Sequence, residues 1–262
     1  MITNTEININ GLIFDMDGVI WRGDQPLADL PYIFNTLHER GIQFILATNN
    51  TTLSIDNFLL KLQNFGVLLD KWQVINSSLA TAVFLKKQFP EGGPVHIIGE
   101  EGLFETLREF EFYHQEQDVL AVIVGLDRKL TYEKLKQASF AIQSGAPFIG
   151  TNPDPSLPTP EGLIPGTGTM LAALEAASGI RPKCIGKPEP ELYNLALKRL
   201  KCRPEETLVI GDRLETDIAG GQNIGCLTCA VLTGVASEEE ARKWSPKIDF
   251  ILNNVSEILD FV

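Results

Sequence analysis

Two acids one residue apart, Asp15 and Asp17, stand in the stretch GLIFDMDGVIWR, directly after the apolar run at positions 12–14. Three further polar groups each follow a short apolar run: Thr48-Asn49-Asn50 after 44–47, Lys187 after 184–186, and Asp212 with Asp217 after 208–211. Together they offer a carboxylate nucleophile, a second carboxyl two residues on, a hydroxyl and amides, an ammonium and further acids. That set suits phosphoryl transfer. Asp15 can take the phosphoryl group, splitting hydrolysis into two displacements, while Asp17 gives a proton to the leaving oxygen and later takes one from water. The transferring group stays anionic, so the Lys187 ammonium and a hard cation would carry much of the electrostatic work. Mg²⁺ prefers carboxylate, carbonyl and water oxygens. Asp15, the main-chain carbonyl of Asp17 and Asp212 are its expected ligands, with Asp217 ordering them from behind.

The elements that must position these groups are short buried strands. Residues 12–14 read as a parallel strand ending in an abrupt loop, and in open α/β sheets the ligand crevice lies outside the carboxyl ends of the strands. Four such ends are expected to meet at one edge. Asp and Gly are also common turn formers, so the first motif alone would equally fit an ordinary strand-to-loop turn. Apolar residues Leu30, Ile33, Phe34 and Leu37 at helical spacing, then Gly41, then a strand at 43–47, make a βαβ unit. Ser54 is a candidate N-cap for a helix just after Thr48-Asn49-Asn50, whose terminal amides favour an anion there.

The connection from Asp17 to Thr48 is of βαβ length, whereas the one from Asn50 to Lys187 is several times longer and carries its own helix and strand patterns. The reading is therefore an α/β protein with a Rossmann-like parallel-sheet core at 1–76 and 183–262 and an inserted α/β domain at 77–182. Its stretch TNPDPSLPTPEGLIPGTG, 151–168, is dense in Pro and Gly and is predicted to lack regular structure. Asn152 and Asp154 in it are either turn formers or substrate contacts.

With 34 acidic against 22 basic residues and a net charge of −12, the chain is a poor fit to nucleic acid. The first ten residues show no basic leader, and no apolar run has the length of a membrane span, so a cytoplasmic location is expected. Four cysteines fit a reducing compartment, and Cys226 and Cys229, although CxxC-spaced, lie in a strand pattern that sends them to opposite faces. His38, His96 and His114 lack metal-ligand spacing and read as structural.

DMDGVIW, ATNN, GKPEP and GDRLETD, in this order and each after an apolar run, resemble the four motifs of the haloacid dehalogenase (HAD) superfamily of phosphohydrolases. The long insertion after the second motif is similar to a class II cap. TNPD, PGTGTM and AASG, followed by GKPEP, resemble the NagD-type, p-nitrophenyl phosphatase-like branch (class IIA). The resemblance implies Asp15 as nucleophile, Asp17 as acid and base, Thr48 and Asn49 as phosphate ligands, Lys187 as charge stabiliser and Asp212 as a Mg²⁺ ligand. Asn50, Asn152 and Asp154 join them as candidate substrate contacts. It further implies a small phosphorylated metabolite as substrate, specificity set by the loop at 155–162, and a homodimer formed through the cap. That loop has no histidine, which speaks against pyridoxal phosphate. A halide-releasing relative would not need Asp17. A binding module or metabolite sensor without turnover should have lost one of the four groups, and none is missing.

Overall fold

The structure, a computed structural model, describes residues 9–159 and 161–262. The reading of residues 1–8 as free of a leader, and Pro160 of the loop, lie outside the described residues. The chain divides into two compact units, one of Met1–Thr48, Leu59–Ile75 and Tyr193–Val262, the other of Asn49–Phe58 and Asn76–Leu192.

The first unit is built on a six-stranded sheet in the order Phe250–Leu252, Leu227–Val231, Thr207–Gly211, Gly11–Phe14, Gln43–Thr48, Val74–Asn76. The pairings of Gly11–Phe14 with both neighbours are parallel. All four residues of Gly11–Phe14 are buried, which is why the strand reads as an unbroken apolar run. Phe14 meets Phe34 edge-on at 5.9 Å, and Phe34 stacks on Phe44 at 4.8 Å. Phe34 belongs to the helix Leu30–Glu39, which buries Leu30, Ile33 and Leu37 as well and starts on the Asp29 carboxylate, the acceptor for Tyr32 N–H. Gly11–Phe14 has Gln43–Thr48, the next strand of this sheet along the chain, on one side and the late strand Thr207–Gly211 on the other. That is a topological switch point, where adjacent strand ends diverge and leave a crevice.

The second unit carries a five-stranded sheet in the order Lys183–Cys184, Phe148–Gly150, Val122–Val124, Gly93–Ile98, Phe112–His114, all paired parallel. Helices Tyr132–Gln143 and Thr167–Ser178 pack on it through Ala138, Ile142, Met170, Leu171 and Leu174. Gly179 ends the latter helix in the left-handed conformation, φ 73°.

Three sequence expectations change. Lys183–Cys184 pairs with Phe148–Gly150, so the strand before Lys187 belongs to the second unit's sheet, not to a four-ended edge of the first. The cause is the short right-handed route: strand 148–150, helix 167–178 and strand 183–184 form one βαβ crossover. Residues 49–58 also group with the second unit, where Asn76 Nδ2 donates to Leu53 O at 3.1 Å and a Cβ on Gly102 would lie 2.4 Å from Leu53 C, so the units are not divided at 77 and 182. The Pro-rich stretch holds an antiparallel ribbon, Ser156–Thr159 with Gly162–Pro165. A two-stranded ribbon is all edge, and edges tolerate proline. Val74–Asn76 and Phe112–His114 are strands of three residues, too short for a period of two to show in the sequence. Among the described residues no helix is long and apolar enough to cross a membrane.

Candidate active site

In the first unit, Asp15 continues the strand Gly11–Phe14, its N–H donating to Ile210 O at 2.8 Å, and is 9% exposed. Asp212 follows the neighbouring strand Thr207–Gly211, and Asp217 lies in the π-helical turn Leu214–Ile218; both are buried. One carboxylate oxygen from each of Asp15, Asp212 and Asp217 lies within 4.8 Å of the other two. Three like charges so placed repel, and a small hard cation with oxygen ligands matches them in charge and chemistry. Asp217, expected one layer behind, supplies an oxygen to the same set.

Glycines make room for these acids. Val235 N–H donates to Asp212 Oδ2 at 2.8 Å, while a Cβ on Gly234 would stand 1.8 Å from that oxygen and one on Gly18 (φ +88°) 2.5 Å from it. Arg213 N–H donates to Asp217 Oδ2 at 3.2 Å. The fully buried Tyr193 hydroxyl donates to Thr216 O at 3.0 Å and Asp217 O at 3.2 Å, holding the turn that carries Asp217. Burial pushes the Tyr193 phenol far above its ordinary value, with the charges of Asp217 and Asp15 adding to the rise, so it acts as a neutral donor. Asp17 stands apart from the three acids: it is exposed, and its Oδ1 accepts from Trp21 Nε1 at 2.9 Å. Thr48, buried, ends the strand Gln43–Thr48 on the other side of Gly11–Phe14.

In the second unit the structure brings together Asn49, Asn152, Asp154 and Lys187. The Asn49 carboxamide spans the main chain of Lys187, with Lys187 N–H donating to Oδ1 at 2.8 Å and Nδ2 donating to Lys187 O at 2.9 Å. Nδ2 also reaches Asp154 Oδ2 at 3.2 Å. The Asn49 carbonyl accepts from Ser77 Oγ at 2.8 Å and Asn152 Nδ2 at 3.0 Å. Gly186 is required here, since its Cβ would lie 2.5 Å from both Asn49 Oδ1 and Thr151 O. The side chain of Asn49 thus orders Lys187, which is 3% exposed, and leaves its main chain for other partners. Asn50 Oδ1 accepts from Thr52 N at 2.9 Å and Thr52 Oγ1 at 2.8 Å.

Sequence reasoning missed Gly234, Tyr193, Ser77 and the Trp21 indole, whose positions follow only from chain segments far from the motifs or from a ring orientation. The four cysteines are free thiols. Burial pushes Cys184 up to about 11 and Cys226 up to about 12, with Glu189 and Glu205 adding to it, which keeps both protonated at neutral pH.

A pH dependence resides in the second unit. His96, 3% exposed on the strand Gly93–Ile98, has its ring 5.1 Å from that of His114, whose Nδ1 accepts from Ile97 N at 3.0 Å. Burial lowers both imidazoles; the His114 charge lowers His96 further, and Glu116 opposes the shift at each. A lowered folded value means that the unfolded chain binds protons first. The stability is fully present above the unfolded value of about 6.5 and is lost as pH falls from there through the lowered folded values. The melting temperature should therefore drop between pH 7.5 and 5 by more in the wild type than in His96→Leu/His114→Gln. Parallel decline in the two proteins would remove the histidines as its cause.

A switch-point sheet with a carboxylate at the end of its central strand and acids from the neighbouring strand beside it, in a chain with a second α/β unit, is the architecture of HAD-like hydrolases. The chain belongs to this family: the haloacid dehalogenase-like hydrolase model matches residues 12–113 and a HAD-hydrolase-like model residues 184–258. Its relatives specify the NagD-type branch, phosphatases that hydrolyse phosphoric monoesters. The acid sugar phosphatase of Staphylococcus saprophyticus is 32% identical over 96% of this chain and 97% of its own length. The 5'-nucleotidase YutF of Bacillus subtilis is 33% identical over 96% and 98%. Among solved structures, p-nitrophenyl phosphatase from Archaeoglobus fulgidus superposes with a TM-score of 0.92 at 31% identity, covering 97% of this chain and 100% of that one. NagD from E. coli K-12 superposes with a TM-score of 0.89 at 30% identity and the same coverage.

Proposed function

We propose that the protein is a Mg²⁺-dependent phosphatase of small phosphorylated metabolites, sugar phosphates or phosphoglycolate-like monoesters, acting through an aspartyl-phosphate on Asp15 in the cytoplasm. The observation that carries this reading is the set of three carboxylate oxygens, from Asp15, Asp212 and Asp217, within 4.8 Å of one another beside adjacent strand ends. Asp15 attacks phosphorus, the ester P–O bond breaks, and the leaving oxygen takes a proton from the Asp17 carboxyl. Water then attacks the phosphoryl group on Asp15 and gives its proton to Asp17, releasing phosphate and restoring both acids. Lys187, oriented by Asn49, offsets charge on the transferring oxygens, and Thr48 with the main-chain N–H of Asn49 binds them. Asp154 and Asn152 hold that segment in shape.

The cation would be held by Asp15, Asp212 and the Asp17 carbonyl, with Asp217 in the same set; bound there, it supplies positive charge to the phosphoryl oxygens. Support for the substrate class comes from relatives named for sugar phosphates, a nucleotide and an aryl phosphate, and from the ribbon at 156–165, whose Glu161 turn and exposed Leu163 present no cationic group. Phosphate release from a panel of monoesters, with Mg²⁺ and after EDTA, tests the proposal. Turnover of sugar and glycolate phosphates that EDTA abolishes and Mg²⁺ restores is expected. Undiminished turnover in EDTA would overturn the metal dependence, and no release from any ester would leave a binding module.

A further inference from the structure

Asp17 must present one oxygen for proton exchange in both half-reactions, yet its side chain is exposed and free of the other acids' cluster. Its Oδ1 accepts from the indole Nε1 of Trp21 at 2.9 Å. Trp21 itself is fully buried and held on every side. Its N–H donates to Met16 O at 3.2 Å, its carbonyl accepts from Gly18 N–H at 2.7 Å, and its strand Trp21–Arg22 pairs with Gln25–Pro26. The ring lies against Phe65 at 6.0 Å, and Lys61 Nζ sits 4.5 Å from the ring centroid while donating to Gly23 O at 2.7 Å. The direction of the indole N–H is therefore set by packing.

We infer that Trp21 is a positioning residue for the acid and base of the reaction: its N–H occupies Asp17 Oδ1 and thereby assigns the exchanging proton to Oδ2. An indole nitrogen only donates, so it can pair with a carboxyl oxygen but never take its proton. Oδ1 stays engaged in both protonation states, and the proton that goes to the leaving oxygen comes from Oδ2 and returns there from water. Without the indole, Asp17 spreads over rotamers and its proton over two oxygens. The inference rests on the role given to Asp17 above.

The leaving group reads this out. An alkoxide needs its proton as the ester bond breaks, whereas p-nitrophenolate departs with little help, and kcat/KM reports only steps up to that departure. Trp21→Phe keeps an aromatic ring without the donor. Replacing Trp21 by 3-benzothienylalanine keeps the full ring volume, with sulfur in place of N–H. Either change should lower kcat/KM for an alkyl monoester such as glycerol phosphate by roughly ten- to a hundredfold, against about twofold or less for p-nitrophenyl phosphate. An equal loss on both esters, or no loss on the alkyl ester, overturns the inference. Asp17→Asn, assayed alongside, separates the two levels. If it loses alkyl ester turnover while the Trp21 variants do not, the inference alone fails; if it matches the wild type, the role of Asp17 fails.

Discussion

Asp15→Asn should abolish phosphate release, lowering kcat by roughly a thousandfold or more, because a carboxamide cannot take the phosphoryl group as an anionic oxygen can. The fold should survive. Asn is isosteric, and the main-chain bond from Asp15 N to Ile210 O is untouched. Removing one of three neighbouring carboxylates also relieves repulsion, so the metal-free variant should melt no lower than the metal-free wild type. Steady-state assays with thermal melts in EDTA check both statements. Activity within tenfold of wild type would remove Asp15 from the chemistry, and a collapsed melt would make the position structural.

Gly234→Ala should produce the second largest loss although Gly234 lies in none of the four motifs. Its methyl group would stand 1.8 Å from Asp212 Oδ2, and the Asp212 carboxylate is also held by Val235 N–H at 2.8 Å. The methyl group would also stand 2.3 Å from Asp212 Cγ and 2.4 Å from Asp212 Cβ, so the whole Asp212 side chain must be displaced. That moves a carboxylate oxygen out of the set formed with Asp15 and Asp217, and disturbances of this kind typically cost ten- to a hundredfold in metal affinity or activity. Turnover at low Mg²⁺ should fall by about that factor and recover in part as Mg²⁺ is raised. Titrating the activity with Mg²⁺ in wild type and variant measures it. A lowered kcat with an unchanged Mg²⁺ midpoint would show that Gly234 does not act through Asp212.

The motifs made the chemistry legible, and the apolar runs before them made the first sheet legible, because a strand buried on both faces has to be a run. The strand before Lys187 misled for the same reason. Residues 184–186 look like a core strand, and nothing local says which of two parallel sheets they join; only the crossover from Phe148–Gly150 decides it. The ribbon at 156–165 was hidden by its own prolines, whose usual meaning as breakers holds for central strands and not for edges. Asn49 was legible as a site residue, but its carboxamide is spent on the Lys187 main chain across a separation of 138 residues. Spacing within a motif carries no trace of a partner that far away. Gly234 and Trp21 were invisible as site residues for a third reason: one acts by the absence of a side chain, the other by the direction of a single N–H.

Trapping the covalent intermediate tests the central claim most directly. The enzyme is mixed with an excess of substrate, quenched within a turnover, reduced with borohydride and digested, and the modified residue is located by mass spectrometry. Conversion of position 15 to homoserine, seen only when substrate and Mg²⁺ are both present, is the result the account predicts. Phosphate release with no reducible acyl phosphate under any quench, or with one on a residue other than Asp15, would contradict it.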